Sequence, residues 1–241
     1  MKLANNKILI TGGASGIGLG LASRFLEENN KVIIVGRRQI LLDEVSGKYP
    51  SIITRRTDLT VSKEREDLYK WISKEHPDLN ILVNNAGIQQ RMSVIDTNFF
   101  PLAKDEIEIN IEAPLHLISL FSNLKSLNAI INITSGLAYV PMAIMPVYCA
   151  SKAFFHSFTL SLRHQFKSRN IEIIELIPPA LNTDLGGKGL HLGSPPVSEF
   201  IDTVFAQLKS GKTEISYGFS EAMTKATPDD LQKTFNRMNS A

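Results

Sequence analysis

The chain has one cysteine, one tryptophan, almost no excess of either charge and no apolar run long enough to span a bilayer. Cys149, the lone cysteine, cannot close an internal disulfide, which suits a reducing compartment. Set inside a helical turn, it is expected as a buried thiol. With 26 basic against 24 acidic residues and a net charge of +2, the chain projects no field that would gather nucleic acid or an anionic membrane, and neither is expected as a partner. No window approaches the ~18 apolar residues of a membrane span. The first residues, Met1-Lys2-Leu3-Ala4-Asn5-Asn6-Lys7, carry positive charge, but the apolar run after them is cut short by Thr11 and Gly12, which is not a signal-peptide pattern. A soluble, cytoplasmic protein is expected. His116, His156 and His164 have no acids or thiols at metal-ligand spacing, so no metal is expected and they read as structural. Low-complexity tracts, fixed-period repeats and composition shifts are lacking too, which leaves a single domain over residues 1–241.

Against these absences stands an ordinary apolar content of 43%, set out as short β-branched runs alternating with helical periodicities. Ile8, Leu9 and Ile10 form the first run. It ends in Thr11-Gly12-Gly13-Ala14-Ser15-Gly16-Ile17-Gly18, after which Ile17, Leu21, Ala22, Phe25 and Leu26 recur at helical spacing. Strand, glycine turn and helix in that order suit a pyrophosphate: glycines let the backbone come close, and the free N–H groups at the helix start receive the charge. A turn of this kind also occurs in α/β proteins that bind no nucleotide. Lys31 to Val35 is a second strand, apolar throughout as strands buried on both faces are. At its exit an NAD site wants an acidic residue for the ribose hydroxyls, whereas a 2′-phosphate wants an arginine. The sequence has Gly36-Arg37-Arg38, with Asp43 and Glu44 only in the next helix, so NADP(H) is favoured and NAD(H) stays possible. The other reading of Arg37 and Arg38 is a pair of solvated charges opening a helix.

In Tyr148-Cys149-Ala150-Ser151-Lys152 a phenol and an ammonium four positions apart share one helix face. The fixed charge favours the phenolate and is expected to draw Tyr148 down from the ordinary phenol value of about 10. Tyr148 would then exchange a proton under cellular conditions. Taken alone, the pair equally fits a plain helix surface.

Taken with three other motifs, the pair resembles the short-chain dehydrogenases/reductases. Thr11-Gly12, three residues, then Gly16-Ile17-Gly18 is similar to that family's cofactor turn, and Asn84-Asn85-Ala86-Gly87 after Ile81-Leu82-Val83 to its second motif. Asn110, Ser135, Tyr148 and Lys152 fall in its catalytic order. The resemblance implies hydride transfer between NADP(H) and a carbonyl or alcohol, with Tyr148 as general acid/base and Ser135 holding the substrate oxygen. It also implies that Lys152 grips the nicotinamide ribose and Asn110 anchors a water. The implied cofactor contacts are Gly12, Ser15, Gly16, Ile17, Gly18, Arg37, Arg38, Asp58, Leu59, Asn84, Ala86, Gly87, Pro178 and Thr183, besides Tyr148 and Lys152 themselves. Asp58 would accept from the adenine amine, or else cap the helix expected from about Ser62. Pro179 stands where the family usually has glycine, a departure that exchanges a permissive φ for a rigid one.

The βα alternation from residue 7 to about 177 predicts a Rossmann-type α/β fold: one doubly wound parallel sheet with helices on both faces, followed by a lid and closing helices over about 183–241. Strands are expected at Ile52–Thr54, Ala129–Thr134, Glu172–Ile177 and, as an edge, Thr213–Tyr217. A loop over 88–104 should lie at the substrate mouth and a long helix run from about Asp105 to Leu124. Leu115 to Phe121, and the stretch from Ala153 through Phe166, are apolar nearly all round, which predicts a homodimer or homotetramer through these helices. Met142 and Met145 read as an adaptable substrate wall, or as packing beneath the lid. Gly186-Gly187-Lys188-Gly189 supplies hinge-like freedom to that lid. Two rival functions are a regulator that binds NADP(H) without turnover and a non-redox enzyme on the same fold.

Overall fold

The computed structural model describes residues 1–240. Seven strands, β1 (Lys7–Thr11), β2 (Lys31–Gly36), β3 (Ile53–Arg56), β4 (Ile81–Asn84), β5 (Ala129–Ile133), β6 (Glu172–Ile177) and β7 (Glu214–Ser216), form one sheet in the order β3-β2-β1-β4-β5-β6-β7. Every neighbouring pair runs parallel. The helices are α1 (Gly16–Glu27), α2 (Gln39–Lys48), α3 (Ser62–Glu75), α4 (Phe99–Ile107), α5 (Ala113–Phe121), α6 (Pro146–Gln165), α7 (Val197–Lys209), α8 (Phe219–Thr224) and α9 (Pro228–Met238).

Side chains alternate across a strand. Ile8, Ile10, Ile34, Val83 and Ile131 therefore enter one core with Phe25 of α1 and Phe200 and Phe205 of α7, while Leu9, Ile33, Leu82 and Ile130 enter another with Leu68 of α3, Leu117 of α5 and Phe155 of α6. Because both faces are covered, the central strands carry almost no polar residue. The chain winds one way from β1 through β3 and the other way from β4 onward. The crevice at the carboxyl ends of β1 and β4 is where sheets of this order receive ligands.

Three expectations need correction. The helix expected from Asp105 starts at Phe99, because Pro101 falls in its first turn, where a missing N–H is harmless; the loop expected over 88–104 accordingly ends at Asn98. The same rod carries a π-turn, Glu108–Glu112, between α4 and α5, and ends at Phe121 rather than Leu124. β3 covers Ile53–Arg56 rather than Ile52–Thr54: an edge strand with Ile53 37% exposed needs no apolar run to mark it, and its two arginines disguise it. β6 and α7 lie where the sequence places them. No helix among the described residues is long and apolar enough to cross a membrane.

Candidate active site

Thr11 ends β1, and its side chain holds the crevice together. Its hydroxyl donates to the Val83 carbonyl (3.2 Å) and accepts from the N–H groups of Asn85 and Ala86 (both 3.0 Å). Asn85 Nδ2 donates back to the carbonyls of Thr11 and Gly12 at 2.9 and 3.2 Å. Gly12 turns the chain at φ +63°, and a Cβ on Gly18 would stand 2.4 Å from the Gly12 carbonyl oxygen, so the helix start reaches the turn only without a side chain there. α1 begins with no side-chain cap from Ser15 and no acid in its first turn. Its first N–H groups, those of Gly16, Ile17 and Gly18, have no acceptor within the helix, and the turn fits a pyrophosphate. Thr183 closes over it, its Cγ2 3.3 Å from where a Cβ of Gly16 would sit.

Cations gather at one side of this turn. Arg38 donates to Ser15 Oγ at 3.3 Å. Asp58 Oδ1 accepts from the N–H and hydroxyl of Thr60 (3.0 and 2.8 Å), and the residue capping α3 is Val61, so Asp58 does not act as the helix cap. Burial raises the Asp58 carboxyl, but the Thr60 bonds and the charges of Arg37 and Arg56 outweigh it and hold the group below its usual range. Leu59 is buried, and its carbonyl accepts from Arg65, which also donates to His116 Nδ1 (3.0 Å), giving that histidine a structural tie.

At the end of β5, Ser135 Oγ accepts from the Leu137 N–H at 3.1 Å, and the Gly136 N–H donates to the Pro178 carbonyl at 3.2 Å, tying in the loop after β6. Tyr148, Cys149 and Lys152 are buried in the first turns of α6. Tyr148 packs with Met145 and Cys149, and Leu137, Met142 and Leu185 of the lid close around them. Lys152 Nζ donates to the Ile133 carbonyl (2.9 Å) and stands 5.7 Å from the Tyr148 ring centre. Asn110 lies in the π-turn; its side chain exchanges two 2.9 Å hydrogen bonds with the backbone of Ile88 and donates to Ser151 Oγ at 3.2 Å. A cavity of about 10 Å³ is lined by Asn84, Asn110 and Lys152 among others, and the Asn84 Oδ1 is buried without a partner. That volume suits one water.

Burial governs the two titrating groups. It pushes the Tyr148 phenol above its ordinary value, with the Ser135 hydroxyl pulling the other way, and brings the Lys152 ammonium down to about 8. The phenol thus moves opposite to the direction the Tyr148 and Lys152 spacing alone predicts, because desolvation of the buried phenolate is the largest influence on it.

The short chain dehydrogenase family profile matches residues 6–190. The chain belongs to the short-chain dehydrogenases. This dehydrogenase is an oxidoreductase with an NAD(P)-binding Rossmann fold. It is 44% identical over 248 residues to the uncharacterized oxidoreductase DltE of Bacillus subtilis, covering 99% of this chain and 98% of that protein. It is 30% identical over 196 residues to the 3-oxoacyl-(acyl-carrier-protein) reductase FabG of Chlamydia pneumoniae, covering 76% of each. A crystal structure of a short chain dehydrogenase from Burkholderia cenocepacia in complex with NADP superposes with a TM-score of 0.86 over 100% of both chains, at 25% identity.

Some residues of the dehydrogenase's site gave no signal in the sequence. Arg56 belongs to an edge strand whose end was not recognised. Gln89 and Glu106 are wholly or nearly buried beside the Tyr148 cluster, although nothing in the loop and helix read there singles either out. Glu106 sits between exposed Asp105 and half-buried Glu108, and only its place on the inward face of α4 sets it apart.

Proposed function

We propose that this dehydrogenase reduces a carbonyl to an alcohol with NADPH, Tyr148 giving the proton. The observation that carries this reading is geometric: the Tyr148 phenol is buried beside Ser135 and packs into an apolar cluster with Met145, Met142, Leu137 and Leu185. Bound NADPH supplies the hydride. Ser135 holds the carbonyl oxygen while charge develops on it, and Tyr148 delivers a proton to that oxygen. Lys152, with a value of about 8, is mostly charged at neutral pH. A water in the small cavity lined by Lys152, Asn110 and Asn84 would resupply a proton by way of the Lys152 ammonium. The methionines and leucines favour a substrate whose body is apolar. A screen of ketones, aldehydes and secondary alcohols at the nicotinamide absorbance band tests the reading. NADPH bound stoichiometrically but never oxidised across the panel would overturn it in favour of a silent binding protein.

For the cofactor, Arg37, Arg38 and Arg56 put three cations at the ribose end of the turn, and the similar Burkholderia cenocepacia structure holds NADP. Arg37→Ala combined with Arg38→Ala is expected to weaken NADPH binding by about 10- to 100-fold and leave NADH nearly unchanged, as the loss of charge-assisted bonds to one phosphate implies. Fluorescence titration checks this, and equal losses for both cofactors would refute it.

For the assembly, the supporting observation lies on α6. Phe154 and Leu160 are 42% and 44% exposed, and Phe154 stacks on Phe158 at 6.3 Å, leaving an apolar strip outside the second core. A homodimer or homotetramer that covers this strip is the expected state. Size-exclusion chromatography with light scattering would reject it by returning a monomer at micromolar concentration.

A further inference from the structure

The chain leaving β4 is pegged along α4 and the π-turn that follows it. Asn110 holds both backbone groups of Ile88 at 2.9 Å, Glu106 Oε1 accepts the Gln90 N–H, and the Leu102 carbonyl accepts from Gln90 Nε2 at 3.1 Å. Leu102 and Glu106 lie about one turn apart on α4 and Asn110 follows in the π-turn, so the three pegs form a ladder along the rod. Between the pegs lies Gln89, 9% exposed. Its amide reaches Met145 Sδ, and its Oε1 lies 3.3 Å from where a Cβ of Gly186 would sit, so Gln89 touches both the substrate wall and the lid.

Glu106 has no exposed surface, and its Oε2 is buried without a hydrogen-bond partner. A peg requires one acceptor oxygen, and the second is left over. No cation faces it among the described residues: the charged or titratable groups felt across the gap are Tyr148 and Cys149 of α6, and the loop offers only the Gln90 N–H. On α4 and its π-turn, Lys104, Asp105 and Glu108 are neighbours in sequence, and Lys104 pairs with Glu108 rather than with Glu106.

We propose that Glu106 is a positioning residue of this active site, fixing the loop that presents Gln89 to the substrate space and setting, through its charge, how readily Tyr148 parts with its proton. The second half rests on the reading of Tyr148 as the acid. Burial lifts the Glu106 carboxyl to about 7 against the pull of the Gln90 N–H. Above that pH a negative charge stands near Tyr148 and holds the proton on the phenol, and below it the charge is gone. Alcohol oxidation, which needs the phenolate, is the direction this charge opposes.

Glu106→Gln keeps an acceptor for Gln90 and removes the charge, whereas Glu106→Leu removes both. With an alcohol found in the screen, Glu106→Leu should raise KM about 10-fold, and Glu106→Gln should restore it to within about 3-fold of wild type, since only the former loses the buried bond. Glu106→Gln should also move the oxidative pH profile of kcat/KM to lower pH by about half a unit or more. A profile superimposable on wild type, or a KM as poor as that of the leucine variant, would overturn the proposal. A readout independent of turnover is the infrared carboxyl band lost between pH 6 and 8 in wild type and missing in Glu106→Gln. Its absence from wild type sinks the claim about charge even if Tyr148 proves to be the acid, and its presence supports the titration of Glu106 even if no substrate is found.

Discussion

Tyr148→Phe is expected to leave NADPH binding intact and to lower turnover by about 10²- to 10⁴-fold, the range a positioned general acid supplies. The substitution removes one oxygen and keeps the ring. That ring is 6% exposed and packs against Met145 and Cys149, so the apolar cluster keeps its filling and the fold its stability. Cofactor affinity should survive because the glycine turn, Arg37, Arg38 and the Lys152 to Ile133 bond are untouched. What is lost is the proton for the carbonyl oxygen, and no other buried hydroxyl replaces it: Ser135 Oγ is already an acceptor for the Leu137 N–H and lacks the phenol's acidity. Steady-state kcat on a substrate from the carbonyl screen, set beside a fluorescence titration with NADPH, reads both arms. A variant that turns over at the wild-type rate would remove Tyr148 from the chemistry, and one that no longer binds NADPH would make its role structural.

The sheet was legible because strands covered on both faces leave apolar runs, as Val32 to Val35 does in β2, and because Gly12 and Gly18 sit at positions where only glycine fits. The order Asn110, Ser135, Tyr148, Lys152 was legible through its resemblance to the short-chain dehydrogenases, not from apolar periodicity. What the sequence hides is tertiary. A π-turn shifts the face of a helix without altering its apolar pattern, so Glu108–Glu112 left no mark. Whether a phenol is drawn down by a lysine or pushed up by burial depends on what packs over it, and Leu185 and Met142 arrive from distant segments. Glu106 was hidden among Asp105, Glu108 and Glu112 of one helical stretch, where only the fold shows which acid faces inward. Glu175 was visible as one carboxylate inside an apolar strand, yet its partner His156 lies on α6, and only the fold brings them together.

That pair carries the largest stability effect expected outside the chemistry. Glu175 is fully buried on β6; its Oε1 accepts from Thr134 Oγ1 at 2.7 Å and meets His156 Nδ1 at 2.8 Å, while Oε2 has no partner. Tyr139 OH stands 3.3 Å from the same ring nitrogen. The hydrogen bond that His156 donates to Glu175 raises the His156 value above its ordinary 6.5 despite burial, and Arg163 opposes it only weakly. Removing the ring with His156→Ala leaves a carboxylate in the sheet with only Thr134 to solvate it, at a cost of about 3 kcal/mol, the lower end for breaking a buried pair. For a chain of this size that is a fall in Tm of about 6–12 °C. The sign of the pH dependence follows from the raised histidine: its contribution is complete below the unfolded value of about 6.5 and is lost as pH rises through the higher folded value. The gap in Tm between wild type and His156→Ala should therefore be widest near pH 6 and narrow towards pH 9. Replacing both partners, His156→Leu with Glu175→Leu, should be less damaging than His156→Ala alone, because no charge is then left buried. Thermal melts of the three proteins at the two pH values decide it: a gap that is constant with pH, or a double variant less stable than the single one, would mean that the two side chains act as packing and not as an ion pair.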